Sequence, residues 1–267
     1  MGRLQKVVLG MLALSSLTLA GGFHVNKSNK YNFTDFAVYK VDRFNELRAV
    51  PGFSLGAPSG MVSRKHAGYV SVSGIKDKDD IDGGMILGMG YGDPNKIGGD
   101  ISLSIGSVNP SDGGAFNRGA LNLSVGHNFT DYLLGVSFGI DGINLWHDND
   151  DDHDTNPSMY LSTTKLIPND IAPMTFTVGV GNNNYAKVNE TGDKKDKIYP
   201  FVSGAIYLMP QLSLIGDYTS KIATVGVSFV PFPRLPIAMS LGAYDITKER
   251  KEDKVSLIGT LSMAFYL

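Results

Sequence analysis

From residue 69 to its end, the chain places apolar side chains at every second position in short runs, and the positions between them hold serine, glycine and threonine. Period two is the signature of a strand with two different faces. Asp100–Gly106 sets Ile101, Leu103 and Ile105 against Ser102 and Ser104; Ala120–Gly126 sets Leu121, Leu123 and Val125 against Asn122 and Ser124. Tyr132–Ile140 and Met174–Gly181 repeat the pattern, as do the runs around 212–214, 225–229, 237–241 and 255–267. With the less regular runs near 69–74, 83–91, 157–165 and 197–208, about twelve strands are expected, near the 9 to 11 residues that a tilted strand needs to cross a bilayer. The second face decides between two architectures. A soluble sheet carries Lys, Glu and Arg on its wet face, whereas here that face is small and polar, most charges sit in the connections, and those within or beside strands, such as Asp100, Asp141 and Asp217, fall on the small-residue face. An apolar face toward lipid and a small polar face toward a lumen satisfy both facts, so the fold expected is an all-β, antiparallel up-and-down transmembrane barrel.

The connections test this independently. Counted from the strand near Tyr69, the odd ones are long and polar (Lys76–Asp82, Ser107–Phe116, Asn144–Asn156, Asn182–Asp196, Thr247–Lys254), apart from a tight turn at Thr219–Lys221. The even ones (Gly92–Ile97, His127–Thr130, Ile167–Ala172, Met209–Pro210, Pro231–Pro236) are short. That alternation matches barrels with long outer loops and short periplasmic turns.

Composition agrees. There are 32 glycines in 267 residues, about 12% against roughly 7% in average proteins. The 24 basic and 26 acidic residues nearly cancel, which leaves no basic field for a nucleic acid. Cysteine is absent, which excludes disulfides and thiol chemistry.

The first twenty residues read as a signal peptide: Arg3 and Lys6, an uncharged apolar run Val7–Ala20 too short to span a bilayer, and small residues ahead of Gly21. Residues 21–66 form an N-terminal periplasmic or plug-like segment without the later rhythm, in which Thr34–Leu47 has helical spacing. The barrel is expected over 67–267.

At the level of class, the chain resembles bacterial outer-membrane β-barrel, porin-like proteins, down to its ending Met263-Ala264-Phe265-Tyr266-Leu267. The resemblance implies residence in the outer membrane of a Gram-negative bacterium, contact with its lipid, and recognition of the last strand by the barrel-assembly machinery. In that class the terminal residue is commonly aromatic; here it is Leu267. A shorter likeness, Leu55-Gly56-Ala57-Pro58-Ser59-Gly60, is to the entry of barrels linked to exopolysaccharide systems, and it spans too few residues to carry a function.

The most pointed cluster is His147–Asp154. Asp148, Asp150, Asp152 and Asp154 alternate as oxygen ligands of Ca²⁺ would, and His147 and His153 would equally suit Zn²⁺ or Cu²⁺, but no central glycine or distal glutamate follows, and a solvated acidic outer loop is the simpler reading of the run. No other cofactor is expected. A serine hydrolase would need a Ser beside a His, and the sequence has neither that pairing in a strand nor a Gly-x-Ser-x-Gly elbow, so no enzyme is expected. Tyr132, Tyr160, Tyr199 and Tyr207 are expected in interfacial girdles. Three functions remain: a passive pore for small hydrophilic solutes; a non-conducting barrel acting through its outer loops as scaffold, adhesin or secretion accessory; and a soluble secreted β-sandwich.

Overall fold

The computed structural model describes residues 49–266 apart from 77–80, 107–115, 117, 148–155, 170, 187–197, 233–234 and 250–253. Twelve strands follow one another: β1 (Ala67–Lys76), β2 (Ile81–Asp93), β3 (Ile97–Gly106), β4 (Arg118–Phe129), β5 (Leu134–His147), β6 (Ser158–Ile167), β7 (Met174–Gly181), β8 (Tyr199–Met209), β9 (Leu212–Thr219), β10 (Ile222–Phe229), β11 (Ile237–Tyr244) and β12 (Ser256–Tyr266). Each pairs antiparallel with its sequence neighbours, and β1 closes the sheet on β12 from Ala67↔Tyr266 to Lys76↔Leu257. The result is the expected up-and-down barrel, a single closed sheet rather than the two packed layers of a sandwich, and closure leaves no strand edge unpaired.

The alternation settles the faces. Val72, Ile101, Val125, Phe138, Leu161, Val178 and Leu257 point outward and are exposed, while Ser71, Ser102, Ser124, Ser137, Ser162 and Thr177 point inward and are buried. One lysine, Lys165, lies on the outward register of β6 near the strand end, and its ammonium donates to the Tyr132 carbonyl in the neighbouring turn. Both termini of the sheet, Ala67 and Tyr266, lie at the end that carries the short turns. These turns are locally specified. In the β2–β3 turn Asp93 accepts from Lys96 N at its carbonyl (2.9 Å) and from Asn95 N at its carboxylate (3.0 Å); in β6–β7 the Asn169 carboxamide accepts from Ile171 N and Ala172 N. The strand expected to start at Tyr132 starts instead at Leu134, because Thr130–Tyr132 form a 3₁₀ turn that Leu133 ends at φ 51°. At the opposite end the β9–β10 link is tight because Ser220 and Lys221 both adopt positive φ (58° and 68°), the geometry of a two-residue hairpin turn.

The surplus of glycine has a packing cause. Among the described residues, six large aromatic rings lie across a glycine on the neighbouring strand, in space that any β-carbon would occupy. Inside the barrel these are Tyr69 over Gly88, Tyr160 over Gly139 and Phe201 over Gly179; outside, Phe265 over Gly68, Tyr91 over Gly99 and Trp146 over Gly119. A glycine deprived of side-chain contacts weakens a strand, and the ring that covers it restores them.

The faces are testable on one cross-strand pair, Thr163↔Val178, both outward. Val178→Arg should destabilise the barrel in lipid vesicles by about 2–4 kcal/mol, the cost of a cation near the bilayer midplane, whereas Thr163→Val should leave it unchanged or stabilise it. Urea unfolding of vesicle-embedded protein measures both, and equal effects would remove the assignment of faces.

Candidate functional site in the lumen

The described residues ahead of β1 fold back into the barrel. Residues 50–63 lie inside the sheet, buried throughout except at Gly56. The segment is a loop that enters and leaves by the short-turn end. Its rising limb runs along β8–β10. Gly52 N donates to Ser228 Oγ (2.8 Å), Ser213 Oγ donates to the Gly52 carbonyl (2.5 Å), Ser203 Oγ donates to the Phe53 carbonyl (3.1 Å), and Leu55 N donates to the Asp217 carboxylate. Ser54 then closes a turn, its hydroxyl donating to the Ala57 carbonyl (2.7 Å) and accepting from Ala57 N (3.0 Å). The falling limb crosses to β6, β5, β4 and β3. Ser162 Oγ donates to the Pro58 carbonyl (2.7 Å) and Ser137 Oγ to the Ser59 carbonyl (2.6 Å). Gly60 N donates to Thr164 Oγ1 (2.8 Å), Asn128 brackets Val62 with one bond to its N–H (3.1 Å) and one to its carbonyl (3.0 Å), and Ser63 N donates to Asp100 Oδ2 (3.1 Å). Ala67 N returns to the Arg64 carbonyl (3.1 Å), with His66 at φ 67°, and β1 begins.

An extended backbone inside a barrel has no strand to pair with, and buried N–H and C=O groups left unpaired cost about 1–3 kcal/mol each. The inward serines, threonine, asparagine and aspartates supply the partners. Packing completes the seat: Val50, Phe53, Leu55 and Met61 join inward Ile75, Leu166, Ala205, Tyr207, Ile215, Tyr244 and Ile258 in one apolar cluster. Wall glycines make the room. A β-carbon at Gly226 would meet Leu55 Cδ1 at 2.7 Å, one at Gly126 would meet Val62 Cγ1 at 2.8 Å, and one at Gly135 would meet Met61 Cγ at 2.7 Å.

A second layer covers the apex from the long-loop end. Asn183–Tyr185, a 3₁₀ turn after β7, folds inward, and Tyr185 packs with Tyr160, Phe201 and Ala57. The Tyr185 hydroxyl donates to Asp141 Oδ2 (2.5 Å), Asn184 N donates to Ser158 Oγ (3.1 Å), and Ser220 Oγ donates to the Asn184 carbonyl (3.0 Å). Burial pushes the Tyr185 phenol well above its ordinary range, so it stays protonated and donating at neutral pH.

Asp100, Asp141 and Asp217 therefore stand on the inward face, as their register predicts, and each holds part of the lumen's contents. Residues 55–60 form the apex and the upper falling limb. Two tyrosines stand elsewhere than the girdle their strand-end positions predict: Tyr160 and Tyr207 both point inward and are buried, one because it covers Gly139 and the other because it joins the apolar cluster. Tyr132 is exposed beside the short β4–β5 turn, and Tyr199 is half-buried at the start of β8. His147 and His127 contact the Asn144 side chain (2.9 Å) and the Lys96 carbonyl (2.5 Å). Asp148, Asp150, Asp152 and Asp154, the stretch 34–47 and the signal peptide lie outside the described residues.

No family model and no curated relative matches the chain. Among solved structures it is similar to outer membrane phospholipase A from Escherichia coli, at 10% identity and TM-score 0.44 over 76% of this chain and 98% of that one. It is also similar to an outer membrane channel from Pseudomonas putida F1, at 10% identity and TM-score 0.44 over 74% of this chain and 94% of that one. The barrel architecture stands on this chain's own strand pairing.

Two glycines of the segment give a sharp contrast. A β-carbon at Gly60 would overlap the backbone of Thr164 and Gly135, whereas one at Gly56 meets nothing within 4 Å. Gly60→Ala should unseat the falling limb and expose 57–63 to protease while the barrel keeps its heat-modifiable migration; Gly56→Ala should behave as wild type. Equal protection of both variants would contradict the seat.

Proposed function

We propose that the protein is an outer-membrane β-barrel that is closed at rest by its own N-terminal segment and does not act as an open passive pore. The observation that carries this reading is the hydrogen-bonded seat of residues 50–63, which follows the lumen from the short-turn end to beneath Tyr185 and back. Membrane residence is supported by the apolar outward face and by the placement of Lys165, whose ammonium reaches toward the short-turn rim as long cations do at membrane interfaces. In this reading the short turns face the periplasm, the long connections face outward, export uses the N-terminal signal, and β12 is the strand offered to the assembly machinery. The lumen carboxylates serve to hold the segment rather than to catalyse.

The chain has no cysteine, which makes a cross-link unambiguous. A β-carbon at Gly52 would stand 3.6 Å from Ser228 Cβ, within the roughly 3.5–4.5 Å that a disulfide spans. The Gly52→Cys/Ser228→Cys variant should form an intramolecular disulfide in intact cells, detected as a mobility shift reversed by reductant, and full-length wild type should be electrically silent in planar bilayers. Absence of the cross-link in an assembled barrel, together with discrete conductance steps from wild type, would reject the closed reading.

A further inference from the structure

Four features of the seat bear on whether the segment is permanent. Both limbs reach the same mouth: Gly52 is held by Ser213 and Ser228, next to the short-turn ends of β9 and β10, and Ser63 by Asp100 near the start of β3. The loop can therefore leave without threading a chain end through the barrel. On the other side Tyr185 covers Ala57, so among the described residues the uncovered direction is toward the short turns. The barrel does not need the segment for closure, since every strand, including β1 with β12, pairs with two neighbours in the sheet. Finally, the polar joints are hydrogen bonds from wall side chains to segment backbone, which water can replace. The wall carries more polar groups than the segment uses: Ser73 Oγ and Thr219 Oγ1 are buried without a hydrogen-bond partner.

We propose that residues 50–63 are a gate that withdraws through the short-turn mouth, and that the lumen it vacates passes small cations. This rests on the closed-barrel reading above. Once the segment leaves, Asp100 in the short-turn half of the barrel loses the Ser63 N–H, Asp217 in the other half loses the Leu55 N–H, and both carboxylates face water, while Asp141 keeps the Tyr185 hydroxyl. Arg118, a basic group on the inward register, stands away from them at the long-loop rim, opposite His147. Carboxylates spread along a narrow wet wall raise the local concentration of cations and exclude anions.

Two measurements test the gate. In full-length wild type in lipid, hydrogen exchange should show the amides of Gly52, Leu55, Gly60, Val62 and Ser63 opening together, far faster than the strand ladders; protection equal to that of the strands would overturn the gate while leaving the closed barrel intact. Gly60→Val, which cannot seat against Thr164, should conduct in planar bilayers where wild type is silent. Its reversal potential in a KCl gradient should lie toward the cation value, and adding Asp100→Asn and Asp217→Asn should move it toward zero. An assembled but silent Gly60→Val protein would overturn the gate, and an anion-side or unselective potential would overturn the cation assignment. Conductance from wild type equal to that of Gly60→Val would instead reject the closed-barrel reading itself.

Discussion

The structure depends on one constraint: a backbone that runs inside a closed barrel must find hydrogen-bond partners on the wall. A sheet that has committed its own N–H and C=O groups to its ladders can offer only side chains. Where the segment's polar atoms fall, the inward face of this barrel therefore carries short side chains ending in oxygen or amide, set among the apolar residues that pack against Phe53, Leu55 and Met61. Ser213 and Ser228 meet Gly52, Asp217 meets Leu55, Ser162 meets Pro58 and Asn128 meets both polar atoms of Val62. Longer polar side chains would fill the volume that the segment occupies, and apolar ones would leave its backbone unpaired.

Much of the wall was legible in the sequence because its signal is local. Strand number, the inward placement of Ser124 and Thr177, and the alternation of long and short connections follow from period two and turn chemistry. The contents of the lumen were less legible, for a physical reason. Serine, threonine and aspartate solvate water and a peptide backbone with the same atoms, so an inward polar face reads as a wet channel whether or not a segment fills it. Tyr160 and Tyr207 were misplaced for a related reason: an aromatic near a strand end is stabilised either at a membrane interface or inside the barrel. For Tyr160 only the cross-strand register, which sets it opposite Gly139, separates the two. The signal available was the pairing of aromatic and glycine positions at matching distances from each turn.

Glycine links these two levels. On the wall it removes side chains where a ring or the segment must approach; in the segment, Gly60 removes one where the wall backbone approaches. The same residue type thus carries two complementary shapes, and neither is visible from composition, which reports only that glycine is abundant.

The polar joints also fix the register of the segment in a way that apolar packing would not. Hydrophobic contacts are non-directional, and Phe53, Leu55 and Met61 could exchange neighbours at small cost. A shift of the falling limb by one residue would bring Met61 or Ser59 to the place where Gly60 touches the Thr164 and Gly135 backbone, and no side chain fits there. It would also carry the Val62 N–H and carbonyl away from Asn128, leaving buried groups unpaired at about 1–3 kcal/mol each. Desolvating the polar wall costs free energy, and what that cost secures is a single seated arrangement, held by bonds that are individually weak and that water can replace one at a time.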